Sequence, residues 1–127
     1  MPVYQDALGL LRLTERIAAS LPRFRADLAR QLRRACESGL LNIAEGAGDH
    51  APLEKARIYR IARRSFTETA AGIDIVRTVE PALAEDCDRA RLQALHVTGQ
   101  LSALILTHVA RSKEGDKSAS PPHSPRP

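Results

Sequence analysis

Four stretches of the chain repeat apolar residues every three or four positions, and between them stand Pro22, a Gly46-Ala47-Gly48-Asp49 run followed by Pro52, and Pro81. A period near 3.6 places side chains on one face of a helix and is wrong for a strand, whose period is two. The first stretch predicts a helix from about Pro2 to Ser20, with Val3, Ala7, Leu10, Leu11, Thr14, Ile17, Ala18 and Leu21 on one stripe. Pro2 suits a first turn, and Pro22 disfavours α geometry at Leu21. The second predicts a helix from about Arg25 to Ala47 with the stripe Leu28, Leu32, Ala35, Gly39, Ile43 and Gly46, whose small members allow close approach of a neighbour. The third opens at Pro52 and runs to about Thr78 through Ile58, Ile61, Ala62, Ser65, Phe66, Thr69, Ile73 and Val76. The fourth begins among Glu85, Asp86 and Asp88, acids favoured at a helix N-terminus, and runs through Ala90, Ala94, Val97, Leu101, Leu104, Ile105 and His108 to about Arg111.

Short connections between such helices make neighbours antiparallel, so the expected fold is all-α, an up-down four-helix bundle over residues 1–111. Composition agrees: 127 residues suit one domain, and with 3% aromatics and no Trp the chain lacks the residues that sandwiches and barrels lean on. From Ser112 onward Ser, Pro, Lys and Asp replace apolar residues, which predicts a disordered Ser/Pro-rich tail over 112–127. No apolar run approaches the roughly 20 residues of a bilayer span, and the N-terminus lacks the basic-then-apolar order of a signal peptide, so a cytoplasmic protein with no membrane partner is expected. Cys36 and Cys87 stand alone in helical patterns and read as buried or idle thiols.

Besides its core stripe the fourth helix carries Leu92, Leu95, Leu106 and Val109 on an adjacent arc. One reading is a well-covered core with stray exposed leucines. The other is an interface between subunits, since monomers seldom expose contiguous apolar patches. Within the second helix, Gln31, Ser38, Asn42 and Glu45 align at spacings of seven, four and three beside the buried stripe. The favoured reading of this polar ladder is structural: partly buried groups bonded to neighbouring helices and the following turn. A binding edge is the alternative.

The third helix carries Lys55, Arg57, Arg60, Arg63 and Arg64, with Arg57, Arg60 and Arg64 on a narrow arc opposite its core stripe and Glu68 at its border; Arg30, Arg33 and Arg34 add charge from the second helix. Net charge is +4. A solvated face with weak ion pairs accounts for the pattern, and so does a surface for RNA or DNA, because the guanidinium fork suits phosphate. Contacts would then be mostly to phosphate and strongly salt-dependent, with little base stacking from so few aromatics.

The segments Gln31-Leu32-Arg33-Arg34-Ala35, Ser38, Asn42-Ile43-Ala44-Glu45-Gly46, Arg57-Ile58-Tyr59-Arg60-Ile61-Ala62-Arg63-Arg64-Ser65 and Glu68, with Val3-Tyr4-Gln5 and Ala7 at the start, resemble the bacterial four-helix-bundle family of the 23S ribosomal RNA intervening-sequence proteins. That family includes the accessory variability determinants of diversity-generating retroelements. The resemblance covers roughly residues 3–80. It implies a four-helix bundle that assembles into a ring-like oligomer, often a pentamer, and in the retroelement branch a partnership with a reverse transcriptase and its template RNA. The chain departs from the family in having Gly48-Asp49 where an Arg commonly follows the Glu-Gly pair.

No catalytic residue, metal site, cofactor or small-molecule substrate is expected. The residues three before His50, His96, His108 and His123 are Ala47, Gln93, Ile105 and Ser120, so the Glu-x-x-His pairs of di-metal bundles are missing. Gly46-x-Gly48 follows a helix and reads as its cap. The expectation is a non-enzymatic homo-oligomeric accessory protein that contacts nucleic acid or a nucleic-acid-handling protein through the third helix; the alternative is a protein scaffold with no nucleic-acid role.

Overall fold

The computed structural model describes residues 1–119, with side chains as far as residue 115. Its helices are α1 (Pro2–Ser20), α2 (Ala26–Gly46), α3 (Pro52–Val79) and α4 (Ala84–Ala119). They follow the expected boundaries closely, because Pro2 and Pro52 sit at helix starts and lose no hydrogen bond there. Two short 3-10 turns, Arg23–Arg25 and Pro81–Leu83, had no periodic signal and carry the chain round between helices. The fourth helix runs longer than expected. It passes Arg111 and continues to Ala119, since polar composition alone does not end a helix and the first proline after it is Pro121. The remainder of the expected tail, 120–127, lies outside the described residues.

Packing follows chain order: α1 against α2, α2 against α3, α3 against α4, and α4 back against α1. The expected stripes form the core, with Leu10, Ile17, Leu32, Ile43, Phe66, Ile73, Val97 and Leu101 all buried. Cys36 and Cys87 are buried and free. Burial pushes the Cys36 thiol up to about 11, which keeps it protonated at neutral pH. Small residues of α2 face large ones of α3. Gly39 receives the Phe66 ring and Gly46 the Tyr59 ring, and in the other direction Leu32 lies over Gly72. Polar ties set the remaining helix registers. Asp6 of α1 accepts from Gln93 at its carbonyl (2.8 Å) and from Gln100 at its carboxylate (2.6 Å). Across α3 and α4, Arg77 pairs with Asp88 at 2.7 Å and Arg91 with Asp74 at 3.0 Å.

Candidate interaction surfaces

Between the N-terminal half of α2 and the C-terminal half of α3 the bundle opens into a groove with a volume of about 490 Å³. Small residues make it: Ala35, Ala71 and Gly72 leave the helices close but their outer edges unfilled. Leu28, Leu32 and Ile75 extend its apolar floor, Ser38 and Ser65 meet across it with hydroxyls 3.1 Å apart, and Gln31, Arg34 and Glu68 stand at the rim. Two sequence features that looked separate therefore converge, for Gln31 and Ser38 of the polar ladder share this groove with Arg34.

The rest of the ladder serves the end of α2. Asn42 donates to the Ser38 carbonyl at 2.9 Å within its own helix. Glu45 meets His50 of the following turn, whose Nε2 lies 3.0 Å from the Glu45 carbonyl and 3.1 Å from its carboxylate. Ser38 is thus the ladder member that bonds to a neighbouring helix, and Gln31 is exposed at the groove.

The expected cationic set divides by what each side chain already holds. Arg33 makes a two-pronged bond to Glu15 of α1, with Nε and Nη2 each 2.9 Å from a carboxylate oxygen. Arg30 pairs with Asp27, and Arg57 with Glu54 at 2.9 and 2.8 Å. These bonds hold the Glu15 and Glu54 carboxyls below their ordinary range. Arg63 turns toward α4 and donates to Ser102 at 3.1 Å. Lys55 bonds the Gly46 and Gly48 carbonyls at 2.7 Å each, closing the C-terminal end of α2. Among the described residues Arg34, Arg60 and Arg64 form no ion pair, and Arg60 and Arg64 lie on the outer face of α3, opposite its core stripe.

A second surface runs along α4. Leu92, Leu95 and Leu106 are 70%, 56% and 70% exposed. At 100° per residue they share about 80° of arc with Gly99, Ala103 and Ala110, directly opposite the buried Ala94, Leu101 and Ile105. From Leu92 to Ala110 the helix has no Asp, Glu, Lys or Arg. Val109, grouped with these leucines from the sequence, is half-buried against the core and sits beside the ridge.

Two features, the exposed Phe24 and the groove, were not anticipated, while His108 is buried on the core stripe of α4 as expected but leaves one nitrogen unpartnered. Phe24 is 78% exposed in the first turn, with the Arg25 guanidinium 5.0 Å from its ring centre. The His108 ring is stacked on Tyr59 at 5.7 Å, and the unpartnered nitrogen is Nδ1. Burial first, then Arg111 and Lys55, lowers its pKa. The groove itself left a trace in the small residues at 35, 71 and 72, but a small residue can equally mark tight packing. Among the described residues no three His, Cys, Asp or Glu side chains gather as metal ligands, and no helix is long and apolar enough to cross a membrane.

These observations define a small all-α protein, a four-helix bundle with an open groove on one side and an uncharged helical ridge on another. Residues 1–103 match the family model of the 23S rRNA-intervening sequence protein, and the chain belongs to that family. The match reaches into α4, beyond the segment that carries the sequence resemblance. No curated protein matches it significantly.

Proposed function

We propose that the chain is a non-enzymatic, homo-oligomeric accessory protein of the cytoplasm that contacts nucleic acid through the α2–α3 side of the bundle. One observation carries this reading: Arg34, Arg60 and Arg64 keep their guanidinium forks free while the neighbouring cations are committed to carboxylates, carbonyls or a hydroxyl. Free forks on one side of a chain with a net charge of +4 offer phosphate bidentate contacts without breaking an existing pair. Contacts of this kind position a backbone and read little sequence. The family resemblance supports a partner that handles nucleic acid, such as a reverse transcriptase. The apolar floor of the groove favours the competing reading, a protein scaffold with no nucleic-acid role.

Salt-dependent binding to an RNA and a DNA duplex tests it. Affinity is expected to fall with salt, and the Arg34→Glu, Arg60→Glu, Arg64→Glu variant to lose most of it. A flat salt dependence, or unchanged binding by that variant, leaves the scaffold reading. The oligomer rests on the ridge of α4, whose exposed leucines are unusual on a monomer. Light scattering counts the subunits and compares them with the five of the ring that the resemblance implies.

A further inference from the structure

We infer that the α4 ridge of one copy seats in the α2–α3 groove of the next, so that subunits join head to tail. This rests on the reading of the chain as an oligomer subunit and adds which surfaces meet. The ridge is the side of α4 turned away from the core, with Leu92 and Ala110 along its middle and Leu95 and Leu106 along one flank. The groove is concave and apolar along its floor. Their lengths agree: Leu95 to Leu106 spans about 16 Å at 1.5 Å per residue, and the α2 wall from Leu28 to Ser38 spans about 15 Å. The two surfaces adjoin where Ala71, at the edge of the groove, also lines the α3–α4 depression beside Leu95, but no residue of the ridge lines the groove, so a subunit can give its ridge to one neighbour and its groove to another.

Charge selects the occupant. A helix face with no acid or base over Leu92–Ala110 gains nothing from a charged surface and would strip water from its ions. A groove of similar volume, about 470 Å³, lies between α1 and α2, but four of its lining residues, Arg12, Glu15, Arg16 and Glu37, are charged and would lose water beneath an apolar helix, so it is the poorer seat. In the groove the leucines would meet Leu28, Leu32, Ala35, Ala71, Gly72 and Ile75, while Gln31, Arg34 and Glu68 stay hydrated at the rim. Two ridges pairing with each other would leave each groove empty. Contact between unlike faces closes into a ring or propagates as a filament, according to the rotation between subunits.

Mixing two variants of the full chain tests this. Leu95→Glu with Leu106→Glu disables the ridge, and Ile75→Glu, at a residue that lines the groove and not the depression beside Leu95, disables the groove; all three positions are exposed, so the helices should survive. Each variant alone should be monomeric, with self-association weakened at least about a hundredfold by an unpaired carboxylate forced into the contact. Mixed in equal amounts they should form a two-subunit complex, from the one intact ridge and the one intact groove. Circular dichroism checks the fold of each, and Gln replaces Glu in any variant that loses it. A groove variant that still assembles like the wild type, or a mixture that stays monomeric, overturns the head-to-tail contact while the oligomer stands. A wild-type monomer at tens of micromolar removes the oligomer reading, and this inference with it.

Discussion

A Cβ placed on Gly39 would stand 2.5 Å from the Cζ of Phe66, so the ring occupies the space that any side chain on that turn of α2 would need. The relationship fixes how closely α2 and α3 approach, and with it the depth of the groove beside them. Phe66 is fully buried within the core cluster, so it has little room to retreat.

Gly39→Ala should therefore destabilise the protein even though Ala suits a helix better than Gly by about 1 kcal/mol. Overpacking a rigid aromatic contact costs about 1–3 kcal/mol or more, enough to outweigh the propensity gain. Gly99→Ala provides the opposite case, since a Cβ there meets nothing within 4 Å. Placed in the ridge-disabled variant, where no subunit contact interferes, it should raise stability by about 0.5–1 kcal/mol. Urea denaturation of both reads the two signs.

Stability should fall in mild acid because of His108. Its folded pKa lies below the ordinary value, owing first to burial and then to Arg111 and Lys55, with Tyr59 stacked on the ring and Nδ1 unpartnered. The unfolded chain therefore takes up a proton at a pH where the folded protein does not. The stability is fully present above the unfolded pKa near 6.5 and declines as pH drops through it toward the folded value, by at most about 1.4 kcal/mol per pH unit. His108→Phe should flatten this part of the profile. Melts of both proteins between pH 7.5 and 5 isolate it, because every other titrating group is common to the two.

Lys55→Met should act on stability and leave any phosphate contact alone. The ammonium bonds the Gly46 and Gly48 carbonyls, which have no helical partner beyond the end of α2. Losing those bonds should cost about 1 kcal/mol, and amides of residues 47–51 should exchange faster with deuterium. The salt slope of nucleic-acid binding should hold steady; a slope that drops like that of an Arg60 variant would return Lys55 to the binding set.

The sequence made the helices legible because Pro22, Pro52 and Pro81 act through local sterics and the core stripes repeat within each helix. What escaped it depends on partners far along the chain. Arg33 and Arg34 are neighbours of the same type, yet Arg33 is committed to Glu15 on another helix and Arg34 faces the groove. Nothing local separates them. The members of the polar ladder share one face of α2 yet do different work: Ser38 alone bonds to α3, Asn42 bonds within its own helix and Glu45 meets His50 of the following turn. Composition marked where the apolar stripe of α4 ends, near Arg111, but the helix runs on to Ala119, because a polar stretch without proline can continue a helix. Phe24 gave no warning either, as exposure of a single aromatic follows from how a turn projects.

The division of the arginines yields the last test, in which neutral substitutions separate contact from overall charge. Each of Arg30→Gln, Arg57→Gln, Arg60→Gln and Arg64→Gln removes one positive charge, so the effect on the distant field is the same for all four. The local effect differs. Arg60 and Arg64 are free to meet phosphate, and losing either should reduce the salt slope on duplex DNA by about 0.9. Arg30 and Arg57 already neutralise Asp27 and Glu54, so each has less of its charge to offer a phosphate. Their loss should lower affinity less and change the slope by well under that amount. Four equal reductions would show that net charge governs binding and that the free forks confer nothing, while reductions confined to Arg60 and Arg64 would place the phosphate backbone along the outer face of α3.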